Sequence, residues 1–271
     1  MNEDVFRSMQ RRELLTVLGS VAIGGIATNV IGTPAVYGSE QKQSAAAPSI
    51  CVFDVNETLL DIEYLAPIFQ RVFDDKKVVR EWFNQLILYS NAITLSGPYA
   101  TFFELGQGVL KMLGLVHKVH VQQADVDELR ERLLTMPVHA DVPAGLKQLK
   151  DAGFRLVTLT NSPPDSRANP LKHAGIDDWF EKSLSVDRVR RFKPAAQVYH
   201  MAAEELDVAP NAICMVAAHT WDTIGAQSVG CSAALIARPG NAILPVHGLP
   251  QPQAVAPDLP GVATQLISLW H

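Results

Sequence analysis

From Ile50 onward, short apolar runs alternate with segments of helical periodicity, and this alternation leaves few folds open. The runs are ICVFD at 50–54, FRLVTLTN at 154–161, KSLSVD near 185, AICMVAA at 212–218 and CSAALIA at 231–237. Such a rhythm belongs to a parallel α/β sheet whose strands are joined by crossover helices. The first, second and fourth runs are continuously rather than alternately apolar, so these strands are covered on both faces, with helices on each side of the sheet. Between the first two strands, residues 64–138 carry four helical patterns, YLAPIFQRVF, VVREWFNQLILYSNAI, YATFFELGQGVLKMLGL and VDELRERLLTM. That insert is too long for a plain crossover and reads as a small helical cap over the strand ends, with Pro137 and Pro143 marking the return to the sheet. The division expected is therefore 1–48 as a leader and linker, 49–63 with 139–271 as the core, and 64–138 as the cap. Residues 239–260 are proline-rich without periodicity, followed by a short helix-like ending, and carry no assigned chemistry.

The leader has its own logic. Arg11 and Arg12 precede an apolar, Gly- and Ala-rich segment, 14–31, with no charge after Glu13. This pattern resembles a twin-arginine export signal, which implies the export machinery as a partner and a periplasmic or secreted protein; a membrane anchor and a cytoplasmic extension are the alternatives. Cleavage is permitted at 36–38 and at 45–47. With 271 residues, 48% of them hydrophobic, and a net charge of −5, the chain can bury a full core, and nothing points to nucleic acid. Cys51, Cys214 and Cys231 have neither CxxC spacing nor nearby histidines, so neither a metal site nor a disulfide is expected.

Polar groups cluster where the apolar runs stop. Asp54 ends the first run and leads as a candidate nucleophile, with Asn56 and Thr58 as short hydrogen-bonding neighbours. An aspartate at position 56 would give the two-carboxylate pattern of a magnesium phosphatase. Asn56 can neither carry a proton to a leaving oxygen nor add negative charge for a cation. Thr160 and Asn161 end the second run, as a binding loop or simply a turn. Lys193, before Pro194, is placed to point back at the strand ends if the proline starts a helix. His219, Trp221 and Asp222 follow the fourth run, where Asp222 is either a site carboxylate or a helix cap.

Together FDVNETLLD, LTNS, FKPAAQVY and HTWDTIGA resemble the haloacid dehalogenase superfamily, and within it the type II (S)-2-haloacid dehalogenase branch, over residues 50–239. The resemblance implies a Rossmann-like core with a helical cap, no cofactor and no metal, a small haloacid and water as partners, and a homodimer. It assigns Asp54 as nucleophile and Thr58 as its orienting hydroxyl. Thr160 and Asn161 would contact the substrate carboxylate and halide, Lys193 would be the charge partner, Tyr199 a supporting hydroxyl, and Asp222 the anchor of the lysine and activator of water. Asn161, Trp221 and aromatic cap residues would form the halide cradle. The implied reaction is displacement of halide from carbon by ionised Asp54, then hydrolysis of the aspartyl ester to a 2-hydroxy acid.

Two departures bear on the leaving group. Where the branch carries an arginine on the first cap helix after a tryptophan, this chain has Trp82-Phe83-Asn84-Gln85, so Phe83 stands in that place. Arg80 or Arg71 is expected to substitute from a neighbouring turn, or the cradle to be built from nonpolar edges and Asn84. The fourth block reads Ala217-Ala218-His219 in place of a Ser-Ser-Asn run, so His219 enters as a base for the hydrolytic water or a halide donor. A magnesium-dependent phosphatase of the same superfamily and a non-catalytic exported relative remain as alternatives.

Overall fold

A computed structural model describes residues 47–164 and 169–271; the leader with Arg11 and Arg12 lies outside the described residues. The chain runs through β1 (Ile50–Phe53), α1 (Ala66–Phe73), α2 (Val78–Ser96), α3 (Phe102–His117), α4 (Gln123–Leu134), α5 (Val142–Asp151) and β2 (Arg155–Thr160). It continues through α6 (Pro170–His173), β3 (Lys182–Ser185), α7 (Ala196–Glu205), β4 (Ile213–Ala217), α8 (Thr220–Ser228), β5 (Ser232–Ile236), β6 (Ala254–Ala256) and α9 (Leu259–Trp270). The six strands form one parallel sheet in the order β3-β2-β1-β4-β5-β6.

The strand order reverses at β1, whose neighbours β2 and β4 lead away in opposite directions, and such a switch point opens a crevice beyond the carboxyl ends of the strands. Phe53 pairs with Thr158 on one side and Val216 on the other, so the residues after β1, β2 and β4 meet at one edge. Right-handed crossovers put α5 on one face and α8 on the other, which is why β1 and β4 are buried at every position. Cys51 and Cys214 face each other in register, both buried, as small apolar residues between the helix layers.

Helices α1 to α4 form the cap. Its two connections to the core lie side by side: the Asp61 N–H donates to Pro137 O at 2.8 Å and the His139 N–H to Leu59 O at 2.9 Å. Inside the cap, Trp82 is buried and its indole N–H donates to Gly106 O at 2.8 Å; a Cβ at Gly106 would stand 3.1 Å from the indole, so α2 and α3 approach closely only because that position is glycine. A capping box of Thr101 and Glu104 starts α3. Cap and core belong to one compact unit. Among the described residues no helix is long and apolar enough to cross a membrane.

Two expectations are corrected. The proline-rich tail contributes the sixth strand, only three residues long and flanked by prolines that hide its period, before the expected helical ending, α9. Pro194 does not start a helix: Ala195 is the N-cap of α7, and the Lys193–Pro194 peptide is cis.

Candidate active site

Asp54 follows β1 and is 4% exposed. Its backbone N–H continues the ladder to Val216 O, so the strand fixes where the carboxylate stands. Oδ2 accepts the Thr58 hydroxyl at 2.6 Å, and Thr58 Oγ1 in turn accepts the Ala218 N–H at 2.9 Å, tying the β1 and β4 ends together. Oδ1 accepts from Lys193 Nζ at 2.8 Å. Burial pushes the Asp54 carboxyl up, but Lys193 and His219 beside it pull harder and hold it well below the ordinary value of 3.8.

Lys193 is fully buried and its three donors are all used, on Asp54, on Asp222 Oδ2 at 2.7 Å and on Leu159 O at 3.0 Å. Burial lowers its proton affinity; the two carboxylates more than restore it, and the net shift is upward. Lys193 does not end a strand: β3 stops at Ser185, and the loop beyond it brings the lysine back, anchored where its N–H donates to Asn161 Oδ1 at 3.1 Å. Asp222 lies in the first turn of α8, yet both of its oxygens serve the site, Oδ2 on Lys193 and Oδ1 accepting the Tyr199 hydroxyl at 2.7 Å. Burial and the charge of Asp54 raise its pKa while Lys193 opposes them. With both oxygens accepting and the side chain fully buried, it is placed as an ionised anchor for the lysine.

Sequence reasoning passed over Glu57. It is 2% exposed, in the left-handed region at φ 66°, and its carboxylate accepts from His219 Nε2 at 2.8 Å, from Asn241 at 2.9 Å and from Arg80. Burial raises its pKa, and His219 and Arg80 bring it below the ordinary value. The signal was present: a second carboxylate three residues after Asp54, between apolar Val55 and Leu59-Leu60, needs a cation if it is buried. His219, the N-cap position of α8, is 5% exposed; its ring stacks on Trp221 at 5.0 Å and faces Phe83 at 5.4 Å. His219 Nδ1 has no hydrogen-bond partner and lies 3.5 Å from Asp54 Oδ2, an ionic contact short of hydrogen-bond geometry. Burial lowers the imidazole pKa, but Asp54 and Glu57 on its two sides raise it to about 9.

A cavity of about 1110 Å³ opens beside this cluster. Val55 and Asn56 form its wall at the nucleophile loop, Thr160 and Ser162 its wall at β2, and Trp82, Phe83 and Leu86 part of its cap side. Asn56 Nδ2 donates to Ser162 Oγ at 3.2 Å, and Thr160 Oγ1 accepts the Ser162 N–H at 3.1 Å. The structure thus brings Asp54, Thr58, Lys193, Tyr199, His219 and Asp222 into one cluster and sets Asn56, Phe83 and Thr160 on the cavity wall. Asn161 and Trp221 support it from behind, one holding the Lys193 loop and the other the His219 ring. The expected arginine substitutes are corrected. Arg71 is paired on the surface with Asp125 and Glu128, and Arg80 is held by Glu57 and Glu63, so neither lines the cavity. The arginines that do line it are Arg130, stacked on Phe103, and Arg188, paired with Glu205. Asp54 and Asp222 share Lys193, and among the described residues no group of three His, Cys, Asp or Glu side chains is placed to hold a metal ion.

The site is thus a buried carboxylate at the β1 end of a parallel sheet, with a buried lysine beside it and an inserted set of helices, the setting of a hydrolase. The family model of haloacid dehalogenase-like hydrolases matches residues 48–230, and the chain belongs to that family. It is 31% identical over 193 residues to the (S)-2-haloacid dehalogenase of Xanthobacter autotrophicus, covering 69% of this chain and 74% of that one. It is 29% identical to (S)-2-haloacid dehalogenase 1 of Pseudomonas sp. (strain CBS-3), covering 69% of this chain and 84% of that one. The solved structure of a dehalogenase superposes with a TM-score of 0.73 at 26% identity, covering 82% of this chain and 96% of that one.

Proposed function

We propose that this chain is a hydrolytic dehalogenase that cleaves the carbon–halogen bond of 2-haloalkanoic acids, with the (S) preference named for its relatives. One observation carries the reading: a buried carboxylate, Asp54, kept ionised by a lysine with all three donors engaged, at the edge of a largely apolar cavity. An ionised carboxylate in such a place is a carbon nucleophile. Asn56, which can neither carry a proton to a leaving oxygen nor add negative charge for a cation, disfavours phosphoryl transfer, which the fold alone would allow.

In this reading the substrate carboxylate is held at Asn56 and Ser162, the Asp54 oxygen attacks the halogen-bearing carbon from behind, and halide departs with inversion toward Phe83 and the His219 ring. Water then attacks the carbonyl of the aspartyl ester, and Lys193 stabilises the oxyanion. Asp222, engaged on both oxygens, anchors Lys193. Among the described residues His219 Nδ1 is the basic atom that faces Asp54 without a hydrogen-bond partner, so His219 takes the proton of the water and Glu57 is the positioning residue that orients its ring. Export through Arg11 and Arg12 belongs to the same proposal and rests on sequence; a leader-fused reporter appearing outside the cytoplasm, and lost in Arg11→Lys with Arg12→Lys, tests it.

The decisive experiment is a single turnover in heavy-oxygen water with 2-bromopropionate, followed by mass analysis of the Asp54 peptide. Label on Asp54 and halide release abolished in Asp54→Asn are expected. Release of phosphate from a phosphomonoester with magnesium, and no halide from any haloacid, would replace this reading with the phosphatase.

A further inference from the structure

His219 lies between two carboxylates, one of which the reaction destroys. On its Nε2 side stands Glu57, itself shared with Arg80 and Asn241; on its Nδ1 side stands Asp54, 3.5 Å away, with Lys193 and Asp222 beyond. The uncharged rings of Trp221 and Phe83 cover it, and Lys193 Nζ sits 5.9 Å over Trp221. In the resting site three buried carboxylates, Asp54, Glu57 and Asp222, face Lys193, Arg80 and a protonated His219. Glu63 shares Arg80 from the solvent side. A charge-balanced cluster of this kind supports the imidazolium, in line with its pKa of about 9. Alkylation turns Asp54 into a neutral ester, leaving the buried Lys193 and His219 with Asp222 and Glu57, while Arg80 shares Glu57 and pairs with Glu63 at the solvent side. Lys193 keeps Asp222 and Arg80 keeps Glu57 and Glu63. Lys193 and His219 both lose Asp54, and of the cations in the cluster the imidazolium has the lowest ordinary pKa, so it is the one that gives up its proton.

We propose that esterification of Asp54 discharges His219: the ring releases its Nδ1 proton to solvent as halide leaves, and becomes a base only while there is an ester to hydrolyse. The inference rests on the dehalogenase reading. In the first half-reaction the oxygen–carbon bond to Asp54 forms and the carbon–halogen bond breaks with its electron pair on the halide. The Nδ1 proton departs in the same phase, so acid and halide appear together. In the second, water oxygen bonds to the ester carbonyl carbon and one of its protons passes to Nδ1. The adduct then collapses with loss of the alkoxide, which takes the remaining hydroxyl proton and leaves as the 2-hydroxy acid. Asp54 carboxylate and His219 imidazolium are both restored, and the sum is haloacid plus water to hydroxy acid, proton and halide. The order matters, since a ring that stays protonated next to the free nucleophile cannot take a proton from water before the ester exists.

The test is a single turnover with enzyme in excess over 2-bromopropionate, at neutral pH in weak buffer, recording bromide, indicator absorbance and the ester on Asp54 by quenched mass analysis. The expected result is a proton phase at the rate of bromide release, carrying at least half of the acid, with little acid released as the ester decays. Acid appearing mainly at the rate of ester decay overturns the proposal. In His219→Asn, bromide is expected without the fast proton and with an ester living about 100-fold longer; ester decay at the wild-type rate overturns it as well. Should that variant misfold, the wild-type traces decide alone. Absence of both bromide and ester from the wild type would instead overturn the dehalogenase reading itself, whereas bromide with late acid leaves that reading intact.

Discussion

In the proposed reaction Phe83 and His219 form the leaving-group side of the site as a pair, and that pairing argues against restoring the arginine that the resemblance leads one to expect at position 83. Phe83 is 5% exposed with its ring 5.4 Å from the imidazole. A guanidinium there would face a protonated His219 at short range in a poorly screened site. Phe83→Arg is therefore expected to lower kcat/KM for a haloacid by about tenfold or more, a loss of about 1.4 kcal/mol of transition-state stabilisation, where simple restoration predicts a gain; steady-state halide assays separate the two. His219 also makes stability depend on pH. Its pKa rises from 6.5 to about 9 on folding, so its contribution, on the order of 3 kcal/mol, is full below pH 6.5 and fades as pH rises through 9. Urea unfolding across that window should show wild type losing stability relative to His219→Asn, and parallel curves would refute it. At this scale Asp54, Thr58 and Asp222 were readable as candidates because they follow apolar runs, and Lys193 because of the FKPAAQVY block in which it stands. Glu57 and Arg238 were not, since their meaning lies in partners such as His219 and Thr58, which are 162 and 180 residues away.

The elements explain what the residues can reach. The cap was legible as an insert because its helices carry a helical period and the flanking strands do not, but periodicity cannot say how much space two elements leave between them. That space is set by the contact of Trp82 with Gly106, and by Leu86 one turn further along α2. The resulting cavity, about 1110 Å³, far exceeds a haloacetate, and its cap side is apolar at Trp82, Phe83, Leu86 and Phe102. Transfer of each methylene to such a wall is worth about 0.8 kcal/mol. The enzyme is thus expected to process 2-bromohexanoate with a kcat/KM at least equal to that for 2-bromopropionate. Leu86→Phe should reduce the longer substrate about tenfold and the shorter far less. Equal losses on both would mean that α2 does not line the path of the substrate chain.

Across the whole molecule, the tail that carried no readable period proves to brace the site from behind. Arg238, leaving β5, donates to Thr58 O at 2.9 Å and to Asp141 Oδ1 at 2.7 Å, while Asp141 Oδ2 accepts the Leu259 N–H at 2.8 Å. The nucleophile loop, the start of α5 and the start of α9 are therefore one hydrogen-bonded unit. Its packing depends on Gly145 of α5, where an added Cβ would stand 2.8 Å from Leu259 Cβ and 2.9 Å from its carbonyl carbon. A backbone atom cannot swing aside as a side-chain tip does, so Gly145→Ala must push α9 off α5, at a cost of about 1–3 kcal/mol by the usual scale of overpacking. In an exposed helix the same change would stabilise, and a lowered melting temperature for Gly145→Ala is the sign that distinguishes them. Because α9 is tied to Thr58 through Asp141 and Arg238, the displacement should also reach the chemistry. Halide release by Gly145→Ala should fall by a larger factor than any loss of folded protein explains, and Gly145→Ala combined with Leu259→Ala, which removes Leu259 Cγ from the clash while its Cβ and carbonyl carbon remain, should recover part of it. A variant that melts earlier yet turns over at the wild-type rate would show that the C-terminal helix stabilises the fold without positioning the nucleophile loop.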